Sequence, residues 1–350
     1  MHLSVYGVTS RRTINPFLIY GLKRLGMMVL TFIVSLILVF ILPRTIPGNP
    51  LATTLYRLIE GGALSSEQLE ATKRVLLETF KFNEPLHIQF VDFISNAVRG
   101  NLGISILFYP LRVSDVIAIY IPWTLALMVP AIITSWFVGN YIGVIVALNK
   151  NKSIDRILMT TFMVLRGIPP YVLGMYLVLF FAVLIPIFPT GGGWSPGMVP
   201  RFSIDFILDY LKHYILPFLS IFITTFGSSG LTMRSIAIQE LSMDYMQYAK
   251  SIGLSQRKLS MYLFKCSALP QMVGLAISLG WSVAGSVITE IVFGYPGLGF
   301  IFWRGIQAQD YPLIQGVFII LISTLLLANF ISEILFAYID PRVKYAYVGV

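Results

Sequence analysis

Apolar residues gather into six long runs, near Gly26 to Ile46, Ile121 to Leu148, Ile157 to Pro186, Ile215 to Met233, Pro270 to Val292 and Pro312 to Ile339. Each approaches or exceeds the roughly 20 residues that a helix needs to cross a hydrocarbon core. Barrel strands would show repeated short alternating segments instead, and none are visible. The pattern predicts an all-α integral membrane protein with six transmembrane helices. Between the first two runs lies the largest polar insertion, roughly Pro47 to Tyr120, too long for a plain loop and read as a small external helical subdomain. Ser65 and Gln68 make a capping-box pattern ahead of Leu69, Val75, Leu76 and Phe80, and Leu86 to Val98 is a second amphipathic run.

Composition narrows the class. The 350 residues are 56% hydrophobic and 12% charged with mean hydropathy +0.79, whereas soluble domains carry about 25% charged residues. The net charge of +9 is unevenly placed. The segments on the side of Lys250 to Lys265, both termini included, are strongly basic, and those on the side of 47–120 balance acids against bases. By the positive-inside rule the first side is cytoplasmic. The basic pI is therefore a topology signal, and no nucleic-acid partner is needed to explain it.

Asp244 to Pro270, DYMQYAKSIGLSQRKLSMYLFKCSALP, is a polar passage between two such runs. Leu241, Tyr245, Tyr248 and Ile252 recur at helical steps and form one stripe. Gly253 follows where a helix ends in the left-handed region at little cost to glycine, and Ser255 can cap a second helix leading through Lys265 to Pro270. The result is a bent helical pair projecting from the membrane like a knuckle. A plain connecting loop is the alternative reading.

Other residues carry fewer implications. Ser10, Arg11 and Arg12 look like the start of an export signal, but the following run exceeds a signal-peptide core and an uncleaved first helix is expected. Tyr20 to Arg24 is placed at the interface. Arg166 lies just inside the third run, where a charge costs on the order of 2.5–3.5 kcal/mol at a helix centre; it either snorkels to headgroups or serves a pathway. Gly167, Pro169 and Pro170 interrupt the same run. Gly191 to Gly193 with Trp194 read as an outer turn bearing an interfacial aromatic. Gly274, Ala276, Ser278, Gly280, Ala284, Gly285 and Ser286 either let helices pack closely or line a path. The chain has no G-x-x-x-x-G-K-[ST] loop and no Gly-Lys pair, so ATP hydrolysis by this chain is not expected. His2, His87 and His213 are too dispersed for an obvious metal cluster, and Cys266 is alone.

The knuckle resembles the cytoplasmic coupling segment, the EAA loop, of ABC importer permeases, in the D-Y-x-x-x-A-x-x-x-G-L-S version of dipeptide/oligopeptide permeases. Asp244, Tyr245, Ala249, Gly253, Leu254 and Ser255 stand in that register. The general Glu-Ala-Ala is replaced by Gln247, Tyr248 and Ala249. Further likenesses follow in the family's order along the chain: IPGNP at Ile46 to Pro50; NLGIS with Asn101, Leu102, Gly103 and Ser105; and His213, Leu216 and Pro217 for H-x-x-L-P. Glu290, Val292, Phe293, Pro296, Gly297, Leu298 and Gly299 fit E-x-V-F-x-x-P-G-L-G, and Asp310 to Pro312 and Asp340 to Arg342 complete the series.

This resemblance implies a type I ABC importer permease fold and a B-type permease subunit with no catalytic, metal or cofactor residues of its own. It implies a homologous C-type permease, two ATPase subunits that bind ATP and Mg, an external solute-binding protein, and a surrounding inner membrane. It divides the chain into a cytoplasmic or interfacial N-terminus (1–24), a first span (25–46), the insertion (47–120), a permease core (121–339) holding the coupling segment (235–269), and a cytoplasmic tail (340–350). The implied ATPase-coupling residues are Asp244, Tyr245, Tyr248, Ala249, Ile252, Gly253 and Leu254, with Ala249 allowing close approach of the ATPase. Glu290, Pro296, Gly297, Leu298 and Gly299 are the candidates for an external loop or gate. Related systems carry peptides, oligosaccharides or nickel. An ion-coupled secondary transporter working without ATPases is the alternative, with Glu290 and Glu333 the only acids within the hydrophobic runs.

Overall fold

The computed structural model describes residues 16–45, 84–285 and 287–339. IPGNP, the Ser65–Gln68 capping box, Arg11 and Arg12, Ser286 and Asp340 to Arg342 lie outside the described residues. The described chain is helical: α1 (Pro16–Thr45), α2 (Leu86–Val98), α3 (Val113–Leu148), α4 (Ser153–Gly167), α5 (Pro170–Val178) continued by a π-helical turn (Leu179–Leu184), α6 (Ile204–Leu241), α7 (Asp244–Ser251), α8 (Gln256–Gly285), α9 (Val287–Phe293), α10 (Leu298–Ala308) and α11 (Tyr311–Ile339). Among the described residues, four helices are long and apolar enough to span alone, and the number reaches six if each of two bent pairs is one span.

Two of the expected spans are built differently from the hydropathy reading. The third is broken, with α4 and the α5 unit meeting at 94°. Pro169 and Pro170 have no N–H to offer the carbonyls of Leu165 and Arg166, so the ladder stops there. The fifth does not begin at Pro270. Helix α8 starts at Gln256 and runs through Pro270, with a 41° bend beyond Met272, so the second half of the knuckle and the span are one helix. A proline inside a membrane helix is tolerated when neighbours satisfy the freed groups.

Tyr20 to Arg24, expected at the interface, makes contacts within the bundle. It belongs to α1, where Tyr20 is buried and Arg24 donates to Glu333 of α11 at 2.7 Å. The bundle is held by small-residue contacts of the kind that let membrane helices approach. A Cβ at Gly139 of α3 would lie 2.8 Å from Ser229, and one at Gly143 would lie 2.7 Å from the Gly230 carbonyl on α6. At Gly280 of α8 it would overlap Ala328 of α11, so this member of the fifth-span small residues serves packing. Near one end of α6, Arg234 makes a two-pronged pair with Asp155 of α4, at 2.6 and 2.9 Å.

Candidate functional site

The knuckle sits at the end of the bundle where α6 stops and α8 begins. Met243 leads into α7 with extended backbone, and Met246 N–H and Gln247 N–H donate to its carbonyl. At the other end Gly253 takes φ +76°. Its N–H donates to Lys250 O at 3.0 Å, and Leu254 N–H donates to Ala249 O at 3.4 Å. This is the paired closure of a Schellman motif, completed by apolar contact between its ends; Ala249 and Leu254 belong to the same core cluster. Gly253 is therefore fixed by backbone conformation, since no atom lies within 4 Å of a Cβ built there.

Tyr245, Tyr248 and Ile252 of the predicted stripe lie on the exposed face of α7, but Ala249, implied to approach an ATPase, points inward. Met246 and Ala249, 0% and 4% exposed, pack with Val144 and Ala147 of α3, Met233 and Ala237 of α6, and Leu259 and Leu263 of α8. Ala249 thus faces its own chain, and the close approach it permits is to the bundle. Leu241 is not on this helix at all, because it ends α6. Tyr248 and Ile252 are 68% and 58% exposed, and Tyr245 is exposed beside them. The Tyr245 hydroxyl meets the Glu240 carboxylate, and its ring stands edge-on to Tyr262. The geometry is a short helix clamped by three long ones, displaying a small aromatic and aliphatic surface.

At the opposite end the Glu290 to Gly299 segment forms a second compact site. Glu290 is fully buried on α9, and its Oε2 accepts the Gly299 N–H at 2.7 Å. A Cβ at Gly297 would lie 2.2 Å from that oxygen, and one at Gly299 would lie 2.3 Å from Val287 Cα. Gly297 is required because the chain folds back directly onto the carboxylate, and Gly299 because it lies against the Val287 backbone. Leu298 N–H donates to Thr124 Oγ1 at 2.8 Å, and the Tyr295 hydroxyl bonds Tyr210 at 2.7 Å and Trp123 O at 3.2 Å. Gly192 N–H donates to Phe293 O at 2.7 Å, and a Cβ at Gly193 would strike Pro296. The Gly191 to Gly193 run is thus a seat for the Glu290 loop. Trp194 packs on Trp123 and Phe206, with ring centroids 5.2 and 5.9 Å away.

Two further motifs meet across 205 positions of sequence. Asp310 is fully buried. Its Oδ2 accepts Ser105 Oγ–H at 2.5 Å and Leu107 N–H at 2.8 Å, and its Oδ1 accepts Leu313 N–H at 3.0 Å. Burial nevertheless raises its pKa above the ordinary carboxylate value. NLGIS and DYP are the two halves of one staple that holds the segment before α3 to the start of α11. Sequence reasoning marked both motifs but not their junction.

Residues 139–345 match the family described as binding-protein-dependent transport system inner membrane component. The chain is similar to a probable peptide ABC transporter permease protein, y4tP, of Sinorhizobium fredii, with 31% identity over 93% of this chain and 99% of that protein. It is similar to the glutathione transport system permease protein GsiC of Escherichia coli (strain K12), with 29% identity over 93% of this chain and 99% of the relative. The GsiC of Shigella flexneri serotype 5b gives the same coverage and identity.

Proposed function

Because this chain belongs to the family of binding-protein-dependent transport system inner membrane components, we propose that its clamped α7 is the element that receives ATPase motion and that its cargo is peptide-like. The chain is a multi-pass, non-catalytic permease subunit of an ABC importer. A binding-protein-dependent system implies a partner permease, ATPases that bind the nucleotide, and a binding protein. The ion-coupled alternative is thereby set aside. We place the knuckle end in the cytoplasm on the strength of the charge asymmetry, with a C-type partner, two ATPases below and the Glu290 loop on the outer side as a gate element.

The observation that carries the coupling role is the contrast on α7. Met246 and Ala249 are locked into three spans while Tyr248 and Ile252 stand in solvent. A ligand-driven shift needs an element with different contacts in two states. A helix rigidly joined to α3, α6 and α8 passes a push from outside straight into the bundle. Asp244, Tyr245, Tyr248 and Ile252 are assigned to the ATPase surface, and Gly253 and Leu254 to the closure that holds the helix in place. Ala249 is reassigned to anchoring.

Peptide or glutathione-like cargo is supported by the names of the similar permeases, which lend nothing to an oligosaccharide. The experiment is ATP-dependent uptake by the reconstituted four-component transporter, offered tripeptides, glutathione and maltotriose in turn. Uptake of a tripeptide or glutathione is expected. Uptake of maltotriose alone would overturn the peptide assignment and leave the permease role intact.

A further inference from the structure

The charged side chains set deepest among the described spans have partners: Arg234 with Asp155, and Arg24 with Glu333. Arg166 has none. It forms no hydrogen bond, ion pair or ring contact, and it is exposed. It stands at the end of α4, at the 94° break. Its carbonyl lacks a helical acceptor role as well, because positions 169 and 170 are both proline. Beside it the space is open, since a Cβ at Gly167 would meet nothing within 4 Å.

Two rulers give its position. Thirteen residues of helix from Ser153 amount to about 20 Å. Against α6, Arg166 N lies 3.0 Å from where a Gly227 Cβ would be, and seven residues of helix from Arg234 to Gly227 amount to about 10 Å. Arg166 therefore lies about 10 Å along α6 from the Arg234–Asp155 pair, within the apolar run. A lipid-facing position would leave a free guanidinium and an open backbone carbonyl together in hydrocarbon, and each alone is strongly disfavoured. Water, a polar ligand or a polar group of the partner permease faces this point.

We propose that the α4–α5 break lines the translocation path and that Arg166 is a specificity residue there, binding the carboxylate of the passing solute. This rests on the peptide reading of the preceding section. A planar guanidinium matches a carboxylate with two parallel hydrogen bonds, and a site held away from bulk water strengthens the pair. The open break accommodates the rest of a short chain without demanding a particular side chain.

The complete transporter in proteoliposomes tests this with trialanine and its C-terminal amide as probes. The binding protein is the same in every arm, so the change in the acid-to-amide uptake ratio reports the permease. Arg166→Gln should lower the ratio about tenfold, the loss expected for one charge-assisted interaction, and Arg166→Lys should restore most of it. In a Cys266→Ser background, Arg166→Cys should react with a membrane-impermeant thiosulfonate. An unchanged ratio, or an unreactive cysteine, overturns the proposal. Equal loss of both probes with loss of the partner permease on copurification would make Arg166 an intersubunit contact and overturn it too. If the wild-type protein imports neither probe, the peptide reading fails and takes the carboxylate assignment with it; cysteine labelling then still decides whether the break lines a path.

Discussion

Gly299→Ala is the sharpest single-atom test of the Glu290 site. The added Cβ would lie 2.3 Å from Val287 Cα and 2.9 Å from Val287 O, and both are backbone, so no rotamer change relieves the clash. Separating the strands of the turn by the needed ångström or more breaks the 2.7 Å bond from Gly299 N–H to the Glu290 carboxylate, which is fully buried. Overpacking costs about 1–3 kcal/mol, and removing a donor from a buried acceptor costs about 1–3 kcal/mol more, for a total of about 2–6 kcal/mol. At about 2–4 °C per kcal/mol for a chain core of this size, heating of the purified assembly should show a drop of about 5 °C or more in its midpoint. Gly26→Ala is the control, because nothing lies within 4 Å of a Cβ there, and inside helix α1 it should be neutral or slightly stabilising. A Gly299→Ala transporter with an unchanged midpoint and unchanged transport would refute the claim that the close approach of Gly299 to the Val287 backbone requires a glycine.

Other substitutions separate anchoring from presentation. Ala249→Arg puts a charge into the α3, α6 and α8 core and should unseat α7, seen as new protease cleavage near residue 250 in the chain alone; an intact knuckle would contradict the inward assignment. Gly253→Val forces a β-branched residue to φ +76°, costing roughly 1–2 kcal/mol, and should weaken ATPase retention on copurification without affecting membrane insertion. Arg234→Ala strands Asp155 in a buried setting and should cost about 3–5 kcal/mol, read as loss of detergent-stable protein, with Arg234→Ala/Asp155→Ala recovering part. Burial holds the Asp310 proton more tightly in the folded chain than in the unfolded one. The stability this contributes is full below the unfolded value of about 3.9 and is lost as pH rises through the folded value. Asp310→Asn should flatten the thermal midpoint across that window, and an unaltered pH profile would contradict it.

The bundle was largely legible because each span must hide its own backbone in hydrocarbon, which writes long apolar runs directly into the sequence. The break at Ile168 was marked by Gly167 and two prolines. The continuity of α8 through Pro270 was not, because proline looks like a terminator until the neighbouring helices that tolerate it are known. In the knuckle, Gly253 and Ser255 announced the bend correctly in position. Its inner face did not show, since Met246 and Ala249 are less conspicuous than the aromatic stripe of Tyr245 and Tyr248, and the stripe itself is exposed. Contacts such as Gly139 on Ser229, or Ser105 on Asp310, depend on which helices become neighbours. No local pattern of residues carries that.

The central claim is that α7 grips the ATPase through its exposed face while its buried face grips the bundle. The most direct measurement is copurification of ATPase and partner permease with Tyr248→Asp/Ile252→Asp, in parallel with peptide-stimulated ATP hydrolysis in vesicles. Both positions are exposed, so the chain should fold and keep its partner permease. Desolvating unpaired charges costs several kcal/mol, so ATPase retention should fall at least a hundredfold and stimulated hydrolysis should vanish. Wild-type ATPase retention and hydrolysis in the double variant would contradict the account.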